Sequence, residues 1–372
     1  MHRGLYRAST ESLQNVITNQ AELTRLTEEL EQAEAIALDT EFLREKTYRA
    51  QLCLLQLATT DRALCVDPLA VADLRPLAAP LGAARPVKVM HAARQDVEVL
   101  APAIGVVGPI FDTQIAAALA GLPTQVGLAE AVRRLLGREL SKAHTRTDWS
   151  RRPLSPEQID YALDDVRYLL PLKSALEETL ERLGRLDWLQ EELASLVEDE
   201  WIAIDPSRAW LRIRGLKGLD EGRTRLARAL AAWRERRAIE RDRPRGWILE
   251  DATLREIVLR VPRTEAQLAA VPELPPAVAK HCAKEILALV EEADIPDPPP
   301  PLTARRRPDP TVAALVRKLG AIAQARAAEL GVSPELLATR RDLEQLAEGR
   351  RDVSVLSGWR RRVLGEQLLA AL

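Results

Sequence analysis

The sequence predicts an α/β domain with a mixed sheet flanked by helices, followed by two small all-helical domains. Three observations carry this. Short apolar, strand-like runs cluster early, near 35–42, 51–58, 63–67 and 86–91, with a shorter one near 109–111. From 217 to about 294 the pattern is helical throughout, punctuated by Pro, Gly and capping Asp or Thr. A proline-rich run, IPDPPPPLTARRRPDP, then separates a last helical segment. The domains expected are 1–205, 206–294 and 311–372, with 295–310 as an extended linker.

Taken in order, residues 20–34 read as an acidic helix. The run 35–42, AIALDTEF, is apolar and bounded by charge on both sides, so it reads as a buried strand. Residues two apart on a strand share a face, which aims Asp39 and Glu41 the same way. Two acids on one face repel unless a cation lies between them. The apolar approach Ile36-Ala37-Leu38 sets the pair beside the core. The run PVKVMH leads through His91 into a helix start that carries Asp96, an acid suited to a helix N-terminus on dipole grounds alone. Asp112 reads as a helix cap. Ser155 and Pro156 mark a helix start, as N-cap and first helical residue. Tyr161 and Asp165, four apart, share a face of that helix, and Asp164 does not. Residues 199–216 read as a linking strand region around Trp201 and Trp210.

Bulk properties bound the possibilities. The 372 residues suit two or three domains, and 47% hydrophobic content supports real cores built from Leu, Ala and Val, since aromatics are only 3%. Cys53, Cys65 and Cys282 are scattered, with no CxxC pair, which argues against a disulfide frame or a zinc site and for a reducing, cytoplasmic setting. The polar start MHRGLYRAST does not read as a signal peptide, and no apolar run approaches the ~20 residues that cross a bilayer. Net charge is −2, yet its distribution is uneven. Residues 1–210 hold 23 Lys and Arg against 32 Asp and Glu; residues 211–372 hold 30 against 23. An acidic half that holds cations joined to a basic half that holds a polyanion fits a nucleic-acid enzyme.

Four carboxylates in three separated segments, Asp39, Glu41, Asp96 and Asp165, suggest a site for two Mg²⁺ ions. In order and context, LDTEF, HAARQD and Y-x-x-x-D resemble the three motifs of the DEDD superfamily of 3′-to-5′ exonucleases, tyrosine branch. Further stretches sharpen the likeness to the ribonuclease D family: TEFLREKTYRAQLCLLQL, HAARQDVEVL, FDTQIAAAL and SKAHTRTDWSRRPLSPEQIDYALDDVRYL. The resemblance covers about residues 15–205. Residues 217–294 look like an HRDC domain, a small helical nucleic-acid-binding module, and 311–372 resemble a second one more weakly.

The resemblance implies a ribonuclease H-like nuclease fold and a catalytic set of Asp39, Glu41, Asp96, Tyr161 and Asp165. The four acids would ligate two divalent cations, Mg²⁺ or Mn²⁺, as hard oxygen donors do. Tyr161 would orient the attacking water. The implied reaction removes nucleoside 5′-monophosphates from an RNA 3′ end, in the processing of transfer RNA precursors and other small structured RNAs. A proofreading-type DNA exonuclease and a non-catalytic nucleic-acid scaffold are the alternatives. Around the site, Phe42 suits a base stack or a core position, and Tyr48, Gln51 and Gln56 lie on the way into the second strand. His91 suits a phosphate contact or a structural role. Lys142, Arg146 and Trp149 sit in a segment whose cations, hydroxyls and aromatic suit an RNA contact or a solvated loop. Two helical modules on one nuclease suggest a clamp that guides an RNA 3′ end.

Overall fold

A computed structural model describes residues 15–140, 147–198, 205–216, 218–296 and 310–372. Lys142, Arg146, Trp201 and most of the expected linker lie outside the described residues. The chain divides into two compact units. Residues 15–43, 52–198 and 310–372 form one; 44–51 and 205–296 form the other.

The first unit is built on a six-stranded mixed sheet of order β1-β4-β3-β2-β5-β6. The strands are β1 (Val16–Ile17), β2 (Ala35–Leu43), β3 (Gln51–Ala58), β4 (Ala63–Val66), β5 (Val87–Met90) and β6 (Ile110–Asp112). β3 and β4 are an antiparallel pair with Gln56 opposite Cys65. β2 runs parallel to β5, and β5 parallel to β6. The two-residue β1, parallel to β4, is too short to leave a periodic signal in the sequence.

Alternation on β2 explains its placement at the centre. Ile36 and Leu38 face one layer, packing with Leu23, Leu26 and Leu30 of helix α1 (Gln20–Glu31) and with Leu55 and Leu57 of β3. After α2 (Ala78–Gly82), helix α3 (Arg94–Ile104) adds Val97, Leu100 and Ile104 to this layer. Ala37 faces the opposite layer. There lie α4 (Thr113–Leu119), α5 (Leu128–Leu136), α6 (Pro156–Arg167), α7 (Leu169–Leu183) and α8 (Leu186–Glu198). The sheet is therefore covered on both faces, as the sequence predicts.

Local signals fix the helix that carries Tyr161 and Asp165. Ser155 caps α6, its Oγ accepting from the Gln158 amide at 3.3 Å while Gln158 Oε1 accepts from the Ser155 amide at 2.7 Å. The segment before it is clipped to the sheet by Arg152. Its guanidinium forks onto the Asp67 carboxylate at 2.6 and 2.8 Å. It also donates to the carbonyls of Cys53 and Trp149, each at 2.7 Å.

The second unit is all-helical: α9 (Glu221–Glu240), α10 (Arg245–Ile248), α11 (Asp251–Arg260), α12 (Glu265–Ala269), α13 (Pro276–His281) and α14 (Ala283–Glu292). The strand expected around Trp210 is a 3₁₀ helix, Pro206–Arg212. Pro206 at its start and the Asp205 cap on the Ser207 amide favour a helical turn over an extended chain. Ile295, expected as the start of the linker, is buried in this unit's core.

Residues 310–372 depart from the separate domain expected of them. They comprise α15 (Pro310–Leu330), α16 (Pro334–Leu337), α17 (Arg340–Ala347) and a last helical stretch over 358–370. Leu319, Ala323, Leu346, Trp359 and Leu368 share one core with Ala117, Leu119, Leu180 and Leu189 of the helices on the Ala37 face of the sheet. Trp359 stacks on Trp188 with centroids 4.4 Å apart, and its Nε1 donates to Glu192 at 2.7 Å. Arg360 forks onto Glu192, and Arg362 reaches Glu191 and Asp187. Gly121, at φ +101°, lets the chain after α4 approach Gly331 so closely that a Cβ would sit 2.7 Å from the Gly331 carbonyl.

This packing makes 310–372 part of the first unit's stability. Trp359→Ala removes a buried aromatic from a shared core and should cost about 3–5 kcal/mol. The check is urea unfolding followed at the sheet-containing part of that unit. A midpoint equal to the parent's would show that the two segments fold independently.

Candidate active site

The four acids expected as ligands converge. Asp39 and Glu41 project from one face of β2, Asp96 from the first turn of α3, and Tyr161 and Asp165 from α6. Their mutual electrostatics shows the grouping. Burial pushes Asp39 well above the usual carboxylate range, and Asp96, Asp165 and Glu41 push it further. Glu41 rises to about 8 through burial, then Asp165 and Asp96. Asp165 rises to about 7 through burial, then Asp164 and Asp96. The Tyr161 phenol is pushed up to about 12 by burial and by Asp165, Glu41 and Asp39. Asp39, Glu41 and Asp165 all feel Asp96, and Tyr161 feels Asp39, Glu41 and Asp165, so three distant stretches of chain form one anionic site.

Asp96 is the best supported of the four. It is buried and rises only to about 6, because burial is opposed by the Thr40 hydroxyl, which donates to its Oδ1 at 2.5 Å. Thr40 is the residue between Asp39 and Glu41, so the first and second motifs are joined by a hydrogen bond. Asp164 pairs instead with Arg167 at 2.8 Å. Asp112 caps α4 and also accepts from the amides of Ala92 and Ala93, which tethers the start of α3.

Several expected substrate contacts have other roles. His91 is held at both ring nitrogens, by Thr113 Oγ1 and the Val126 carbonyl, each at 2.8 Å, and burial lowers its pKa. It is structural. Trp149 is buried with Cys53, Leu54, Leu154, Ile159 and Leu163, and its ring stacks on Tyr161 at 6.3 Å between centroids. It shapes the site from beneath and does not line an RNA path. Tyr48 belongs to the other unit, where its hydroxyl donates to the buried Glu235. Phe42 is half-buried directly after Glu41, and Gln51 is exposed at the start of β3. Gln56 is fully buried in β3, and neither of its amide atoms has a partner.

The sequence reading missed two residues. Thr40 lies inside the first motif but carries no charge to mark it. Arg152 has its partner 85 residues away, so no local pattern reveals it.

The donor set suits a hard divalent cation. Asp96 is buried and Asp39, Glu41 and Asp165 are partly buried beside it. Asp39, Glu41 and Asp165 are each raised by neighbouring acids, and a cation would relieve that repulsion. Among the described residues, no three His, Cys, Asp or Glu side chains already close on one point as a ligand shell. A cavity of about 970 Å³ lies at the other end of β2, lined by Arg25, Glu29, Ala35, Leu57, Arg62 and Lys173. It holds none of the five site residues, and its Arg62 and Glu29 are paired with each other.

The chain resembles known proteins over nearly its whole length. Residues 14–181 match a 3′-5′ exonuclease family model, and 223–290 match the HRDC domain. The chain is 37% identical to ribonuclease D of Nitrobacter hamburgensis over 363 residues, which cover 96% of this chain and 94% of that one. It is 40% identical to ribonuclease D of Gluconacetobacter diazotrophicus, over 95% of this chain and 92% of that one. The crystal structure of Escherichia coli RNase D, described as an exoribonuclease involved in structured RNA processing, superposes with a TM-score of 0.83. That match has 32% identity and covers 96% and 98% of the two chains. The chain belongs to the ribonuclease D family.

Proposed function

We propose that this 3′-to-5′ exoribonuclease uses two divalent cations, Mg²⁺ or Mn²⁺, held by Asp39, Glu41, Asp96 and Asp165. It would trim the 3′ trailers of transfer RNA precursors and other small structured RNAs. The observation that carries the reading is one partly buried cluster in which Asp39, Glu41, Asp165 and Tyr161 are each raised by burial and by neighbouring acids, Asp96 among those acting on the three carboxylates. Bound there, such ions supply activation of a water and stabilisation of charge on the leaving 3′ oxygen. The chain's own residues do the rest. Thr40 fixes the Asp96 carboxylate by donating to its Oδ1. Tyr161, with its pKa near 12, keeps its proton at neutral pH. It orients the attacking water by hydrogen bonding and is not a general base. Trp149, stacked on Tyr161, holds that ring in place. The products are nucleoside 5′-monophosphates.

A 5′-labelled RNA with an unpaired 3′ tail should shorten stepwise from that end in Mg²⁺ or Mn²⁺ and stay intact in EDTA. Asp165→Asn should lose far more than the roughly 100-fold typical of an outer-shell change, and Thr40→Val about 10- to 100-fold. A matched DNA trimmed as fast as the RNA would move the assignment to a DNA exonuclease. RNA binding with no trimming in either metal would favour a scaffold.

Stability should depend on pH in a defined direction. Free carboxylates titrate near 4, and these four titrate higher in the folded chain, so the metal-free fold binds more protons than the unfolded chain. That contribution is complete below about pH 4 and is lost as pH rises through about 6 to 8. Thermal unfolding in EDTA should therefore show a lower midpoint at about pH 8 than at about pH 5.5, with Mg²⁺ restoring the difference. Glu41→Gln should raise the metal-free midpoint at the higher pH while abolishing trimming. A midpoint unmoved by both changes would contradict the electrostatic account.

A further inference from the structure

We infer that the second unit carries a stacking site for single-stranded RNA, centred on Trp247 and Arg243 and flanked by the exposed cations Lys46 and Arg49. The inference rests on the exoribonuclease reading and adds where an RNA strand is gripped away from the carboxylates.

Trp247 is 58% exposed, although the chain buries Trp149, Trp233 and Trp359. Its exposure follows from how α10 is anchored. Ile248 and Leu249 enter the unit's core, which turns the preceding residue outward. The Arg243 guanidinium lies over the indole, 5.8 Å from its centroid, and donates to the Lys46 carbonyl at 3.4 Å. One side chain thus joins the α9–α10 turn to the segment 44–51.

That segment is held from below. The Tyr48 hydroxyl donates to Glu235, and Asp242 Oδ1 accepts from the amides of Tyr48 and Arg49 at 3.0 and 3.3 Å. With Tyr48 drawn inward, Lys46 and Arg49 remain exposed. Tyr48 is one of several residues that the sequence offers as substrate contacts; here its neighbours Lys46 and Arg49 are the ones that face solvent. Over 44–49 and 235–247 there are eight Lys and Arg against four Asp and Glu. Of those four acids, Glu235 is buried and Asp242 is committed to backbone amides.

An exposed indole flanked by guanidinium and ammonium groups suits an unpaired base and its phosphates. The indole face stacks on a base, and the cations meet the backbone. A duplex offers the phosphates but hides its base faces, so the site selects single strands. Arg44 follows Glu41 by three residues, so the segment that supplies Lys46 and Arg49 continues the chain that supplies two of the acids.

The test uses the full chain in EDTA and a fluorescein-labelled single-stranded dodecamer of uridine, read by anisotropy across a salt series. Trp247→Ala and the double variant Lys46→Glu/Arg49→Glu should each weaken binding by about tenfold. The double variant should also flatten the salt dependence by about 1.4 in log–log slope, two phosphate contacts at about 0.7 each. Arg340→Glu/Arg341→Glu, equal in charge change, is the control and should bind as the parent does. In Mg²⁺, the ratio of kcat/KM for the dodecamer to that for a dinucleotide should fall in both site variants. Parental affinity and an unmoved ratio in both would overturn the site while leaving the exoribonuclease reading intact. A parent that trims neither substrate would sink that reading instead. Tighter binding of a duplex than of the single strand would refute the stacking role.

Discussion

Everything in the nuclease unit is arranged around one unfavourable act, the gathering of four like charges at the end of a buried strand. Burial alone lifts each acid, and their proximity lifts them further. Such a cluster persists only if its supports are stiff. β2 provides that stiffness by being central in the sheet, with Ile36 and Leu38 locked against α1 on one face while the acids emerge on the other. Asp96 is held by Thr40, and α3 is tethered at its start by Asp112. The strain is the function: a site that repels itself is one that favours divalent cations.

The second layer of support comes from further away. Arg152 ties the segment before α6 to β3 and β4, and the Trp149 ring it holds stacks on Tyr161. The far side of the nuclease layer is closed by 310–372, whose Trp359 completes a stack begun by Trp188. Removal of that segment would expose a core, not merely shorten a binding surface.

How much of this was legible in the sequence depended on distance along the chain. The course of β2, the Ser155 capping box and the Asp112 cap are local, and the sequence displays them directly. The four acids and Tyr161 were legible because each sits in a motif with its own local context. Trp149, Tyr48 and His91 were not, because composition cannot tell an aromatic or imidazole that meets RNA from one that meets a buried partner. For Tyr48 that partner is Glu235, 187 residues away; for Trp149 it is a core assembled by a clip spanning 85. The 3₁₀ turn at Pro206–Arg212 reads as a strand only if Trp210 is weighed above Pro206.

Charge bookkeeping changes meaning once contacts are known. The basic excess of residues 211–372 suggests a polyanion-binding half, yet Arg360 and Arg362 are spent on Glu192, Glu191 and Asp187 of α8. These are acids of the other half, so part of the sequence's charge asymmetry is internal pairing between two segments of one unit. The run Trp359-Arg360-Arg361-Arg362, which looks like a nucleic-acid motif, has its indole buried and all three guanidinium groups engaged, Arg361 with Glu366 at 2.7 Å. The turn Arg241-Asp242-Arg243-Pro244-Arg245-Gly246-Trp247 has a similar composition and the opposite disposition, with the acid bound inward and the indole outward. Composition made the two alike; what separates them is which residues the core anchors, Trp359 itself in the first and Ile248 with Leu249 in the second.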